Sequence, residues 1–243
     1  MDSGMHKQLY RLPAWFDNSG PEANVVVSTR IRLARNLADF HFPTQSSLQM
    51  RKIVFEKVAH EVNRIEQCGS FDIANFTHIG KLQQHYLVEE RVASPDLLSL
   101  PGDRGVIGSR QKTINIMVNE EDHIRLHGMD SGYQPDQLWH LIDALDTKLG
   151  QRLSYAYDPQ RGFLTSCPTN SGTGLRISFL MHLPGLALTK TLDQVIQAAS
   201  QMGLSTRGFF GEYSSVIGNF FQISNQATMG AHESEFIDRT RSV

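Results

Sequence analysis

The chain has 243 residues, of which 40% are hydrophobic and 20% charged, and its net charge is −2. That length buries a substantial core in one large domain, the composition excludes a disordered chain, and the charge excludes a general nucleic-acid binder, which carries a basic surplus. Sixteen of the 23 basic residues are arginine. Codon bias suffices to explain that skew on composition alone, but it also suits local anion sites, because a guanidinium forks onto carboxylate or phosphate. Two cysteines, Cys68 and Cys167, are too few for a disulfide framework. No apolar stretch of signal-peptide length opens the chain. The most apolar run, Ile177 to Leu188, is broken by Ser178, His182 and Pro184 and falls short of the roughly 20 residues of a membrane span. These features predict a soluble, cytoplasmic protein with no membrane partner.

In chain order, residues 1–23 read as an irregular lead-in with Pro13, Gly20 and Pro21. Val25 to Val27 start a β-favouring run that continues through Arg32 to Leu33. Val54, Val58, Val62 and Ile65 share one face of a helix predicted over residues 47–67, which Gly69 can end; Cys68 beside it reads as structural. A short strand is predicted at His85–Val88. Ile114, Ile116 and Val118 alternate, and so do Ile124 and Leu126 beyond a polar turn, which predicts a hairpin. Leu138, Leu141, Ile142, Leu145 and Leu149 predict a helix over 135–149 with all five inward. Leu153, Tyr155 and Tyr157 alternate, a turn follows at 158–162, and Phe163–Ser166 returns as a strand. Residues 167–174 form a loop by composition. Leu175, Ile177, Phe179, Met181 and Leu183 give the cleanest strand alternation. Thr191 and Gln194 make a possible capping box for a helix ending near Gly203. Strands near 204–210 and 220–224 follow, and Glu233–Thr240 can begin another helix. Strands joined by short turns, with helices placed irregularly among them, predict an α+β fold built on an antiparallel-rich sheet flanked by helices.

No GxxxxGK[ST] or GxGxxG motif is present. Chemistry-bearing residues fall instead into four clusters. Arg30 and Arg32 point to the same side of a strand, with Arg35 nearby; without an anion between them they repel, unless the face is simply solvated. The acidic run Glu120-Glu121-Asp122, followed by His123 and Arg125, is able to hold a cation, either a metal or a guanidinium, or to be a solvated turn. Cys167 lies in a polar loop, where reactivity needs cationic neighbours. Arg176 and Ser178 lie opposite the apolar face of the clean strand, and Arg207-Gly208 and Gly211-Glu212 come later. Together these are the groups that phosphorylation of a guanidine requires: arginines for phosphates, carboxylates for the guanidinium.

On four ordered motifs the sequence resembles the phosphagen (guanidino) kinase family, and within it the bacterial protein-arginine kinases, from about residue 24 to 230. The motifs are residues 28–36 (STRIRLARN), 118–125 (VNEEDHIR), 164–176 (LTSCPTNSGTGLR), and Arg207-Gly208 with Gly211-Glu212. The resemblance implies a guanido-kinase (glutamine-synthetase-like) catalytic core over 24–230, with 231–243 beginning a C-terminal helical region that is truncated or absent. It implies ATP and Mg2+ as cofactors. Arg30, Arg32, Arg125, Arg176 and Arg207 match the arginines around the phosphates, and Ser28 falls in the first of these motifs. Glu121 and Glu212 match the carboxylates that hold the substrate guanidinium, and Cys167 the cysteine beside it. Glu120 matches a residue near magnesium through water. His85 resembles the histidine beside the nucleotide, with Arg91 as a second candidate. Small-guanidine kinases of the family carry a helical domain before the core. Here the core begins almost at once, which implies an open site suited to protein substrates with exposed arginines, with an activator or adaptor protein as a possible partner. Kinases for free arginine, a silent nucleotide-binding module and a cysteine-dependent guanidine hydrolase remain as rival readings.

Overall fold

The computed structural model describes residues 13–65, 71–109, 113–208 and 218–241. Its centre is the long strand β1 (Val26–Arg35), whose residues Ile31 and Leu33 are fully buried on one face while Arg30 and Arg32 project from the other. Helix α1 (Leu48–Asn63) follows, started by the Ser47 hydroxyl accepting from the Met50 N–H at 3.3 Å. It buries Val54, Phe55, Val58 and Val62 at helical spacing. Then come β2 (Phe71–Asn75), α2 (Lys81–Glu89), the single turn α3 (Asp96–Ser99), β3 (Gly105–Ser109), β4 (Ile114–Val118) and β5 (Ile124–Ser131). Helix α4 (Pro135–Gly150) and the two-residue strands β6 (Tyr157–Asp158) and β7 (Gly162–Phe163) precede β8 (Leu175–His182). The chain closes with α5 (Pro184–Leu188), α6 (Leu192–Gln201), β9 (Leu204–Gly208), β10 (Phe220–Asn225) and α7 (Glu233–Arg241).

Eight strands form one sheet in the order β2-β3-β4-β5-β1-β8-β10-β9, every neighbouring pair antiparallel. This is the α+β, antiparallel-rich architecture the sequence predicts. Ile31, Leu33, Ile116, Ile124, Leu126, Leu175 and Ile177 line one face and pack with α1, α4 and α7 in a single core. The other face is polar at its centre and is flanked near β3 and β4 by a second, smaller core of Phe76, Val92, Leu97, Val106 and Met117 under α2 and α3.

Four local expectations differ. His85–Val88 lies within α2, because a four-residue window cannot separate a period of 2 from one of 3.6. Leu141 is 43% exposed, since it stands about 70° round α4 from the centre of the Leu138–Ile142–Leu145–Leu149 stripe. The Thr191 side chain caps nothing: its backbone is helical and its hydroxyl pairs with Thr189 at 2.9 Å. The return strand after the turn is only Gly162–Phe163. Cys68 and Gly69 lie outside the described residues, as does most of the N-terminal lead-in, residues 1–12. No helix among the described residues is long and apolar enough to cross a membrane.

Gly174 holds the entry to β8 against β1. Its φ is +65°, and a Cβ there would stand 2.7 Å from the Ala34 carbonyl oxygen and 2.7 Å from Arg35 Nη1. Beneath it Arg35 is 2% exposed. It is paired with Asp146 at 2.7 Å, donates to the Thr173 carbonyl at 2.8 Å, and stacks 3.6 Å from the Phe163 ring centroid. We expect Gly174→Ala to cost about 1–3 kcal/mol of stability, read as a lowered urea midpoint; an unchanged midpoint would contradict the strain argument.

Candidate active site

The sheet register assembles the site. Arg32 pairs directly with Arg176 on β8 and with His127 on β5. Arg30 pairs with Ser178, and Ala34 with Arg125. On the far side Gln222 of β10 pairs with Arg207 of β9. Directly opposed residues of neighbouring strands stand on the same face, so residues scattered from 30 to 207 meet over one patch. Of these, Arg30, Arg32, Ala34, Arg125, Arg176, Arg207 and Gln222 line a cavity of about 570 Å3 together with Glu120, Glu121, Cys167, Thr169, Asn170 and Gly174.

Like charges opposed across strands are destabilising, and here they are also enclosed. Burial, followed by the charges of Arg91 and Arg125, pulls the Arg30 guanidinium down to about 9. Burial and then Arg30, Arg125 and Arg176 hold Arg32 well below the arginine range. Arg30 remains cationic at neutral pH, and both shifts reflect an electrostatic cost that an anion relieves. Arg30 Nε, Arg32 Nε and His127 Nδ1 are buried and have no hydrogen-bond partner among the described residues. A polyanion supplies what these donors lack, so the floor of the cavity fits phosphate groups.

The acid wall is a tight turn between β4 and β5. Asn119 takes φ +57° and donates to the carbonyls of Arg51 at 2.7 Å and Asp103 at 2.8 Å. Asn119, Glu120, Asp122 and His123 are all buried, so this charge run is not a solvated turn. Asp122 Oδ1 accepts from Asn36 Nδ2 at 2.7 Å and from the Ser166 N–H at 2.8 Å, and Ser166 Oγ donates to the Glu121 carbonyl at 2.6 Å. Those bonds fasten the cysteine loop to the acid turn. His123 accepts from the Leu37 N–H through Nδ1 and faces the His41 carbonyl through Nε2 at 3.0 Å, which fixes a neutral tautomer. Neither Asp122 nor His123 is placed as a metal ligand, and no cluster of three or more His, Cys, Asp or Glu side chains suited to a metal occurs among the described residues.

Arg125 spans the two glutamates, with Nη1 2.6 Å from Glu120 Oε2 and Nη2 2.7 Å from Glu121 Oε2. Glu120 also accepts the Ser94 hydroxyl and the Glu121 N–H. Glu121 is the more accessible acid, its side chain 39% exposed, with Asn170 Nδ2 at 3.4 Å. Burial raises its carboxyl above the usual range; Arg125 opposes the rise, and Asp122 and Glu120 add to it. Cys167 is a free thiol, half-buried, with Sγ 3.0 Å from Thr169 Oγ1. Thr228 Oγ1 pins its loop through the carbonyls of Thr169 and Ser171 at 3.0 and 2.7 Å.

Of the residues singled out in the sequence, Arg30, Arg32, Arg125, Arg176, Arg207, Glu120, Glu121 and Cys167 line one cavity. Ser28 is buried on β1 and His85 is exposed on α2, and neither is among the lining residues. Glu212 lies outside the described residues. Arg91, by contrast, is close enough to Arg30 to shift it. The sequence reading gave no role to Ser94, Asn170 or Thr228. Asn170 stood inside a quoted motif, whereas Ser94 and Thr228 carry no local signal, because their partners are 26 and 59 residues away.

Comparison with known proteins gives a consistent set of likenesses. The family model for ATP:guanido phosphotransferase, C-terminal catalytic domain, matches residues 53–243. A protein-arginine kinase from Desulforamulus reducens is 40% identical over 232 residues, 94% of this chain and 65% of that one. Another from Moorella thermoacetica is 38% identical over 242 residues, 98% of this chain and 69% of that one. The chain thus spans about two thirds of the length of these relatives. Among solved structures, the substrate-free duplicated taurocyamine kinase from Schistosoma mansoni superposes with a TM-score of 0.80 at 26% identity, over 90% of this chain and 32% of that one.

His123 gives a test of the buried turn. Burial, then the Arg51 charge, outweigh the His41 carbonyl and hold its pKa at about 4, below the free value of 6.5. A depressed histidine stabilises the fold fully above about pH 6.5 and loses that contribution as pH falls toward 4. We expect roughly 2–3 kcal/mol of stability to disappear between about pH 7 and 4.5, measured by urea titration, with a smaller loss in His123→Gln. An equal loss in both proteins would remove His123 from the account.

Proposed function

The chain belongs to the ATP:guanido phosphotransferase family, and from that premise we propose that it transfers the γ-phosphoryl group of ATP to the guanidinium of arginine side chains in proteins. The observation that carries this reading is the meeting, in one cavity, of an arginine floor with buried unsatisfied donors and an acid wall that already grips a guanidinium, that of Arg125. The choice of protein arginine over a free guanidine rests on the protein-arginine kinases at 38–40% identity, against 26% for the taurocyamine kinase.

Phosphoryl transfer needs positioning and charge stabilisation more than covalent help from the protein. Arg30, Arg32, Arg176 and Arg207 hold the phosphates in line with the acceptor and spread the charge that develops on the transferred group. Arg125 joins them by leaving Glu121, which frees that carboxylate for the substrate. Glu121, with Glu212 as its partner, orients the guanidinium and takes the proton lost as nitrogen attacks phosphorus. A carboxyl whose pKa burial has raised is the better base for that step. Cys167, on the loop fastened to the acid turn, adds a second polar contact to the guanidinium. Magnesium, when bound with the nucleotide, neutralises phosphate charge. Glu120, whose oxygens already accept from Ser94 and Arg125, fits an outer contact to it through water.

Incubation with MgATP and either an arginine-rich protein or free arginine tests the reading, with acid-labile phosphoarginine detected by mass spectrometry. Label confined to protein is expected; label on free arginine alone points to a small-guanidine kinase, and release of citrulline or urea without ATP refutes a kinase. Glu121→Gln, Glu212→Gln and Arg207→Ala should each lower turnover by at least ~10²-fold. Full activity in any one of them would overturn its role.

A further inference from the structure

Two buried arginines away from the cavity floor bind backbone instead of carboxylates. Arg51 donates from Nη1 to the Pro101 carbonyl at 2.9 Å and from Nη2 to the Pro43 carbonyl at 2.6 Å. Arg104 donates to the carbonyls of Leu97, Leu98 and Gly102 at 2.7, 3.0 and 3.0 Å. The segments held in this way supply Thr44, Asp96 and Leu100, which line the cavity beside Glu120 and Glu121. Ser94, two residues before Asp96, donates its hydroxyl to Glu120 and fixes this rim against the acid turn. The rim is therefore rigid before any ligand arrives, and a rigid site loses little to ordering on binding.

What the rim presents is specific. Asp96 is exposed, and its carboxylate has no hydrogen bond or ion pair among the described residues. Leu100 beside it is half-buried. The neighbouring glutamates share the single cation of Arg125, whereas Asp96 has no cationic partner among the described residues and adds its full negative charge to this wall. A carboxylate next to an apolar side chain suits a residue with an aliphatic stem and a cationic head, which buries the stem and pairs the head. We infer that the Thr44–Asp96–Leu100 rim is a substrate subsite for a second lysine or arginine, close in sequence to the arginine that enters the cavity. The inference rests on the proposed protein-arginine kinase activity and adds to it a preference for basic flanking residues.

Two peptides that differ only in a lysine or a glutamine beside a single target arginine test it. Initial phosphorylation rates and, separately, equilibrium binding by fluorescence anisotropy are measured for wild type, Asp96→Asn and Asp96→Lys. The lysine-to-glutamine ratio should be about two- to fivefold in wild type at low salt, the range of an exposed ion pair. It should shrink at ~0.5 M salt, approach one in Asp96→Asn, and fall below one in Asp96→Lys. Equal ratios in wild type and Asp96→Asn overturn the subsite. A wild-type binding preference without phosphorylation of either peptide upholds the subsite and refutes the kinase reading.

Discussion

Three basic side chains stand abreast on the open face of the sheet: His127, Arg32 and Arg176, on three adjacent strands in register. Behind them the same strands bury Ile31, Leu33, Leu126 and Ile177 completely. Because side chains alternate along a strand, the hydrophobic demand of one face fixes the register, and the register leaves the Arg32 and Arg176 guanidinium groups no way to part. A one-residue slip would turn the isoleucines and leucines out to solvent. The core thus holds like charges together, and the burial that stabilises the fold is what lowers Arg30 and Arg32. A cationic floor follows from packing, with no glycine-rich phosphate loop.

The acid wall solves the opposite problem. Three consecutive acids are brought to one turn, and each is neutralised differently. Asp122 is spent on Asn36 and the Ser166 N–H, which tie the turn to the cysteine loop. Glu120 is buried against Ser94 and Arg125. Both glutamates line the cavity, Glu121 is the more exposed of the two, and Arg125 reaches it from the floor. The two halves of the site are therefore linked by one guanidinium, which lines the cavity with the floor arginines and pairs with both glutamates of the wall.

The arginine surplus divides along the same lines. Arg35, Arg51 and Arg104 are buried and spend their donors on backbone carbonyls, with Asp146 as the partner of Arg35. Each pins a short segment between the longer elements: the entry to β8, or the rim around Thr44 and Asp96. Lysine is a poor replacement, since its ammonium gathers three donors at one atom whereas a guanidinium spreads five over a planar fork. The skew in composition thus has two physical sources, a cationic floor and a set of backbone clamps.

Much of this was legible in the sequence. Period-2 alternation in residues 114–126 and 175–183, and the 3.6-residue stripe of α4, gave the elements, because burial imprints its period directly on the chain. The four motifs carried the family and the eight singled-out side chains that line the cavity, because motif residues keep their local spacing. What local spacing does not encode is which distant segments meet. The sequence left the acidic run open between cation site and solvated turn; only the bonds to Asn36, Ser166 and Arg51, each more than 40 residues away, make it a buried wall. His85 matched by local wording and stands outside the cavity, while Arg91, set at a positive φ of 61°, lies near Arg30. The sequence by itself determined the alternation, the helices and the chemical types at the site; the tertiary structure decided which of those groups share a face, because cross-strand register is a property of packing and not of any one strand.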